Sequence, residues 1–309
     1  MRNPFNRTFT RIGCFGVALL AAAGGYLYWS AWQRVPHLDV QDPLRPRPTL
    51  MTRHEYQGLI GSHPRPFVYE VSRAEHGGGA ALVFGAEHTK DPEDPSLRVL
   101  RASWDGFAPT VLLVEGRMGV MFPAFHDAVR MFGESGKAHE LAKEAGIPTH
   151  SWEPRPQRLA AALLDKGFSR RQVALRFILN SSFSNRRFGA PSRPGALVMD
   201  TLAERAAWAG AEEQFRGLED VDAAWKLEFA DGPDWREVSD EFGLPGFLGR
   251  MDLNVARDEH LVDLIGVLVR RGERVFVVCG CSHAVVVESA VRAVVATAHE
   301  AGSAAVPPG

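Results

Sequence analysis

The run Arg274-Val-Phe-Val-Val-Cys279 carries no polar side chain between its first and last residues. Such a strand cannot alternate between core and solvent. It needs cover on both faces, as the strands of parallel sheets have. Ala81-Leu-Val-Phe84 and Val111-Leu-Leu-Val114 read the same way, and Ile147 to Trp152 as a shorter strand. Phe67-Val-Tyr-Glu-Val71 alternates, and Gly77-Gly78-Gly79 marks a turn after it. Helical spacing of apolar residues recurs at Gln157 to Leu164 and Arg170 to Leu179. It recurs in parts of Ala206 to Phe229 and of Trp235 to Phe247. A helix is expected from Ser135 to Ala145, another from Val255 to Arg271, and a last one from His283 to His299. Ser181 to Pro194 reads as a loop. Strands alternating with helices imply an α/β fold: a central, mostly parallel or mixed sheet with flanking helices. The stretch from about 153 to 250 is mostly helical and reads as an insertion.

Ahead of this domain stands an uncharged apolar run, Ile12 to Tyr28, preceded by Arg2, Arg7 and Arg11. Its length is near the minimum of about 17–25 residues for a bilayer span. The basic flank should stay cytoplasmic and send the rest of the chain to the periplasmic or extracellular side. Tyr26, Tyr28, Trp29 and Trp32 suit the far interface, so membrane contact is expected through residues 12–32. The rival reading is a cleaved signal peptide with Ala21-Ala22-Ala23 at the cleavage site, giving a secreted protein. Gly13, Gly16, Gly24 and Gly25 make it a poor soluble helix. The expected organisation is an anchor or signal segment over 1–34, a Pro-rich tether over 35–50, and the α/β domain over 51–309. Pro36, Pro43, Pro46 and Pro48 would stiffen the tether in solvent.

Composition narrows the function classes. The 309 residues include 35 Lys+Arg and 37 Asp+Glu, a formal charge of −2, which argues against a nucleic-acid partner. Three cysteines, Cys14, Cys279 and Cys281, are too few for a disulfide scaffold. A mean hydropathy of −0.13 excludes many membrane spans but not one.

Two copies of one motif follow buried strands. Val83-Phe84-Gly85-Ala86-Glu87-His88 and Val278-Cys279-Gly280-Cys281-Ser282-His283 both read strand, then G-x-x-H. Glycine permits a tight turn off the strand tip. The histidine then stands at the C-terminal edge of the sheet, where open α/β folds place their ligands. Imidazole serves there as metal ligand or general base. Glu115 ends the third strand, where a carboxylate is costly unless paired or metal-bound. Its other reading is a salt bridge to Arg117. Arg257-Asp258 opens the long helix and offers a cation for a substrate carboxylate or phosphate. Asp258 has a plainer explanation in the helix dipole.

With these residues in place, the chain resembles the TraB/PrgY/GumN and TIKI family, which is related to erythromycin esterase and ChaN-like proteins. The resemblance rests on Gly85-x-x-His88, Gly280-x-x-His283, Glu115 and Arg257-Asp258, and covers roughly residues 66 to 300. TIKI members are membrane-tethered, metal-dependent proteases. The resemblance therefore implies a divalent metal ion held by His88, Glu115 and His283, with Arg257 in the site. TraB and PrgY members act in peptide-pheromone shutdown, which implies the alternative of a protein that binds or sequesters a peptide or signal ligand. The middle of the chain departs from any pattern assignable to the family.

The residues agree chemically. Two histidines and a carboxylate can hold a divalent ion with a position open to water. Such an ion activates water and polarises a carbonyl, the chemistry of amide or ester hydrolysis on a peptide or small molecule. Glu87 would take the proton or orient His88, and Arg257 and Asp258 would contact substrate. Asp91 and Glu153 are further candidates at the strand edge. A third reading is a serine hydrolase: Gly280-Cys-Ser282-His-Ala284 resembles a nucleophile elbow and His76-Gly77-Gly78-Gly79 an oxyanion loop. After Ser282 only Glu288, His299 and Glu300 remain as triad partners, all on one helix. Cys279, Cys281 and His283 would share one face of an extended strand. His126 and His139 read as surface groups. Oligomeric state is not encoded in any of these patterns.

Overall fold

The computed structural model describes residues 25, 30–40, 46, 48–73, 78–183, 193–239 and 244–297. The apolar run apart from Gly25, the Ala21-Ala22-Ala23 site, most of the 181–194 loop, His76-Gly77 and His299-Glu300 lie outside them. Among the described residues no helix is long and apolar enough to cross a membrane. The chain divides into two compact units, one of residues 1–38, 44–153 and 264–309, the other of residues 39–43 and 154–263.

In chain order the elements are α1 (Arg53–Leu59), β1 (Phe67–Ser72), β2 (Ala80–Ala86), α2 (Pro95–Phe107), β3 (Val111–Val114), α3 (Ala128–Ala145) and β4 (Thr149–Ser151). Then come α4 (Pro156–Asp165), α5 (Arg170–Phe183), α6 (Pro194–Met199), α7 (Leu202–Trp208), α8 (Leu218–Glu228) and α9 (Gly246–Arg250). α10 (Leu253–Arg270), β5 (Arg274–Gly280) and α11 (Cys281–Thr297) close the described chain.

The first unit holds a five-stranded mixed sheet in the order β1-β2-β5-β3-β4. β1 is antiparallel to β2, and the other pairs are parallel. The burial follows the sequence pattern. β2 and β3 are buried along their whole length, and β5 from its second residue on, while β1 alternates at the edge. The most apolar run in the chain thus takes a central position between β2 and β3. On one face Leu100, Trp104 and Phe107 of α2 and Ala138, Leu141 and Ala142 of α3 pack on Leu82, Phe84, Leu112 and Phe276. The Trp104 and Phe276 rings lie 5.2 Å apart. Burying a Phe or Leu side chain contributes about 1.5–3 kcal/mol, so this layer carries much of the unit's stability. α11 packs against β1 and β2, and α1 against α11.

Several features depart from the sequence expectations. α2 is an additional helix: Asp94 caps it by accepting from the Ser96 N–H at 2.9 Å, and Pro95 stands at its first turn. α3 begins at Ala128 rather than Ser135, because two helical pieces join at Gly133, whose φ of 61° and ψ of −143° suit only glycine. Residues 32–38, expected as the end of an anchor and a solvated tether, pack on this unit. Trp32 and Val35 are buried, Trp32 bridges Met121, and His37 bridges Ser151 beside the edge strand β4. His139, expected at the surface, is buried with its ring edge-on to Trp32 at 4.7 Å.

The second unit is helical among its described residues. Its core gathers Leu175, Ile178, Phe183, Phe215, Trp225, Trp235 and Phe247. Trp225, Phe229 and Phe247 form a ring stack, with centroids 4.3 and 5.3 Å apart. The Trp235 indole N–H donates to Asp222 at 2.7 Å, which satisfies the polar atom this burial would otherwise strand.

Candidate active site at the strand ends

β2, β5 and β3 are parallel neighbours, with Ala86 opposite Gly280 and Val114 opposite Val278. Their C-terminal ends therefore meet along one edge of the sheet. The Glu115 N–H donates to the Val278 carbonyl at 3.0 Å, which extends the pairing by one residue and fixes the base of the side chain. The Glu115 carboxylate then spans two neighbours. Its Oε2 accepts from the Gly280 N–H at 2.5 Å, and its Oε1 stands 3.7 Å from His283 Nε2.

His88 reaches the same place from β2. A Cβ added at position 280 would lie 2.7 Å from His88 Nε2 and 3.4 Å from Glu115 Oε2. His88 and Glu115 thus meet over the bare Cα of Gly280, and His283 adjoins them through the other oxygen of the Glu115 carboxylate. The role of the motif glycines differs from the expectation. Neither Gly85 nor Gly280 has a positive φ; both end strands in extended backbone, and they supply room rather than a turn. The left-handed residue is His88 itself, with φ 68°. A non-glycine residue held there stores strain that the surroundings must hold in place.

Glu134 and Gly133 do so. Glu134 is 2% exposed, and its Oε1 accepts from the Thr89 N–H at 2.9 Å. A Cβ on Gly133 would lie 2.7 Å from the Thr89 carbonyl oxygen. The kink of α3 thus holds the Thr89 N–H and carbonyl, next to His88. Sequence reasoning misses Glu134 because its partner is 45 residues away and no local pattern announces it.

His283 is held differently. It is the third residue of α11, 7% exposed, with its ring edge-on to Trp152 at 5.3 Å. Trp152 is fully buried, and its indole N–H donates to the Val278 carbonyl at 3.1 Å. A cavity of about 300 Å³ opens beside the cluster, lined by His88, Lys90, Glu115, Glu134, Glu153 and Cys279 among others. Three carboxylates and one lysine give it an acidic lining that favours a cation.

Glu87, Arg257, Asp258 and Ser282 are not among the residues that line this cavity. Glu87 is exposed. Arg257 and Asp258 lie in the second unit, where the Arg257 guanidinium donates to Asn254 at 2.8 Å and Asp258 is 4% exposed. Because α10 begins at Leu253, Asp258 is past the first turn, and the helix dipole does not account for it. Cys281 begins α11, so Cys279 and Cys281 do not share a strand face. Both are buried and neither forms a disulfide, and burial pushes the Cys281 thiol up. Ser282 is exposed on α11 without the left-handed backbone found at His88.

The donor types suit a divalent ion: two imidazoles and a carboxylate, with Glu134 and Glu153 nearby. Among the described residues no three such side chains form a ready metal cage as they stand. His88 is exposed, so its ring can turn without disturbing the core. The chain matches no family model, no curated protein and no solved structure.

Proposed function

We propose that the protein is a membrane-anchored hydrolase of an amide or ester bond, acting on a peptide or small molecule at the strand-end cluster. The observation that carries this reading is the Glu115 carboxylate, which accepts from the Gly280 N–H beside His88 with one oxygen and stands 3.7 Å from His283 Nε2 with the other. The acidic lining supports a divalent ion as the cofactor, with His88, Glu115 and His283 as its ligands. Bound there, the ion would supply Lewis acidity to a scissile carbonyl. Glu115 holds the ligand set together through the Gly280 N–H. Glu153 lines the cavity and is better placed than Glu87 to take a proton from water. Lys90 offers a counter-charge to a substrate carboxylate or to a developing oxyanion. The family resemblance supports the same class of chemistry. Arg257 and Asp258, in the second unit, are kept as the proposed substrate contacts.

The test is bound-metal analysis of the full chain purified in detergent, with hydrolysis assayed on a panel of esters and peptides. The wild type should retain a divalent ion and turn over at least one substrate class. His88→Ala and His283→Ala should each lose both. A wild type without metal, matched by both variants, contradicts the metal site. Metal without turnover across the panel moves the site to the binding and sequestering alternative. Labelling of Ser282 by a serine-directed probe would instead favour the serine-hydrolase reading.

A further inference from the structure

The segment joining β3 to α3 leaves the site at Glu115 and runs through Met118-Gly-Val-Met-Phe-Pro-Ala-Phe125. Met118 and Met121 are buried beneath it, 5% and 1% exposed. Val120 and Phe125 point the other way, 52% and 68% exposed, and Met131 on the first turn of α3 is 39% exposed. The turn is fixed: the Phe125 and His126 N–H groups both donate to the Phe122 carbonyl, at 3.0 and 3.1 Å. Single exposed apolar side chains are ordinary on a protein surface. Three on one short segment call for a covering partner.

The chain itself says where that partner is. The Trp32 N–H donates to the Met121 carbonyl at 2.7 Å, and the Met121 N–H returns a bond to the Trp32 carbonyl at 3.2 Å. The Trp32 ring packs with Met121, Ala128 and Phe132. The uncharged apolar run ends at Tyr28, four residues before Trp32. At up to about 3.6 Å per residue, chain connectivity alone bounds the end of that run to about 14 Å from Trp32, which pairs with Met121. Exposed Arg117 and Arg130 flank the segment, with Asp127 as its acid. Cations beside apolar side chains suit the headgroup region of an anionic bilayer.

We infer that the 118–131 segment is an interfacial loop that seats Val120 and Phe125 in the surface of the bilayer holding the N-terminal run. The inference rests on the membrane-anchor part of the proposed function. It adds that the cavity at the strand ends opens beside the membrane, since the same segment begins at Glu115.

The full chain carrying Cys14→Ala and Phe125→Cys tests it, with a nitroxide on the new thiol. Ile60→Cys is the comparison, since Ile60 is also exposed, at 57%, on the turn after α1. Cys279 and Cys281 are buried, and the unsubstituted parent gives their background. The protein is reconstituted in phosphatidylcholine and phosphatidylglycerol vesicles. Collisions with lipid-soluble oxygen and with a water-soluble nickel chelate are then compared. The ratio of oxygen to nickel collisions should be several-fold higher at position 125 than at position 60. Protein that sediments free of vesicles overturns the anchor and the inference with it. An anchored protein with equal ratios at the two positions overturns the inference alone. So does shielding at position 125 from both reagents that grows with protein density, which would assign the loop to a second copy of the chain.

Discussion

The two G-x-x-H turns share a spacing and part ways one residue after it. In the first, the chain leaves β2 on a left-handed residue and sets His88 in solvent reach. In the second, the chain passes directly from β5 into α11 and buries His283 under Trp152. The residues just after each copy explain the split. Thr89-Lys-Asp91-Pro92 offers turn residues and a proline, whereas Ala284-Val-Val-Val287 gives α11 an apolar face for the sheet. The glycines are reciprocal. A Cβ on Gly85 would meet Ala284 of the second copy at 2.8 Å, and a Cβ on Gly280 would meet His88 of the first at 2.7 Å. Each glycine clears space for the other copy, so the repeated motif encodes a fit between two turns rather than one turn made twice.

That contrast can be broken most strongly on the buried side. Trp152→Ala should cost about 3–5 kcal/mol in denaturant unfolding, the range for a buried aromatic. His88→Ala, exposed but at a left-handed position, should cost no more than about 1 kcal/mol. Equal losses for the two would erase the distinction between a packed and a presented histidine.

The glycines come next. Gly85→Ala should destabilise by about 1–3 kcal/mol through overpacking. Its new methyl would face Ala284 Cβ at 2.8 Å and the Phe67 carbonyl oxygen at 2.9 Å, neither of which can step aside. Gly280→Ala meets the end of an exposed imidazole at 2.7 Å and the Glu115 carboxylate only at 3.4 Å, so it should destabilise less than Gly85→Ala while losing whatever depends on His88. Reversal of that order, by thermal unfolding of the pair, would contradict the reciprocal clearance. Glu134→Ala should cost about 1–3 kcal/mol by stranding the Thr89 N–H. The accompanying displacement of His88 is readable in its imidazole NMR signals, which a merely stabilising residue would leave in place.

A further effect probes the sheet unit by pH. Burial, helped by Lys143, lowers the His139 pKa from 6.5 to about 4. Unfolding lets the ring take up a proton between those values, so stability present above pH 6.5 is lost as the pH falls toward about 4. His139→Gln should flatten that limb of the stability profile. An unchanged profile would mean the ring does not remain neutral in the folded state.

All five strands are legible in the sequence: β2, β3 and β5 as apolar runs such as Val111-Leu-Leu-Val114, β1 by its alternation, and β4 within the short stretch Ile147 to Trp152. α2, absent from the sequence expectations, carries a full local signal in the Asp94-Pro95 cap and the stripe Leu97, Leu100, Trp104 and Phe107 at helical spacing. The front half of α3 is not legible, since Gly133 in a helical pattern reads as a break and only its contact with Thr89 explains it. Trp32 and His139 illustrate the same limit: their burial depends on each other across more than a hundred residues. In the site, His88, Glu115 and His283 can be picked out because each ends a buried strand. Glu134, Lys90 and the clearance at Gly280 depend on strand order, which no single segment reveals.

Whether the two histidines serve one site is decided most directly by a double-mutant cycle on divalent-ion affinity, using the full chain with His88→Ala, His283→Ala and both together. If they share one ion, either single change abolishes tight binding and the double variant binds no worse than the singles. Additive losses, or an affinity that ignores one histidine, would contradict a shared site.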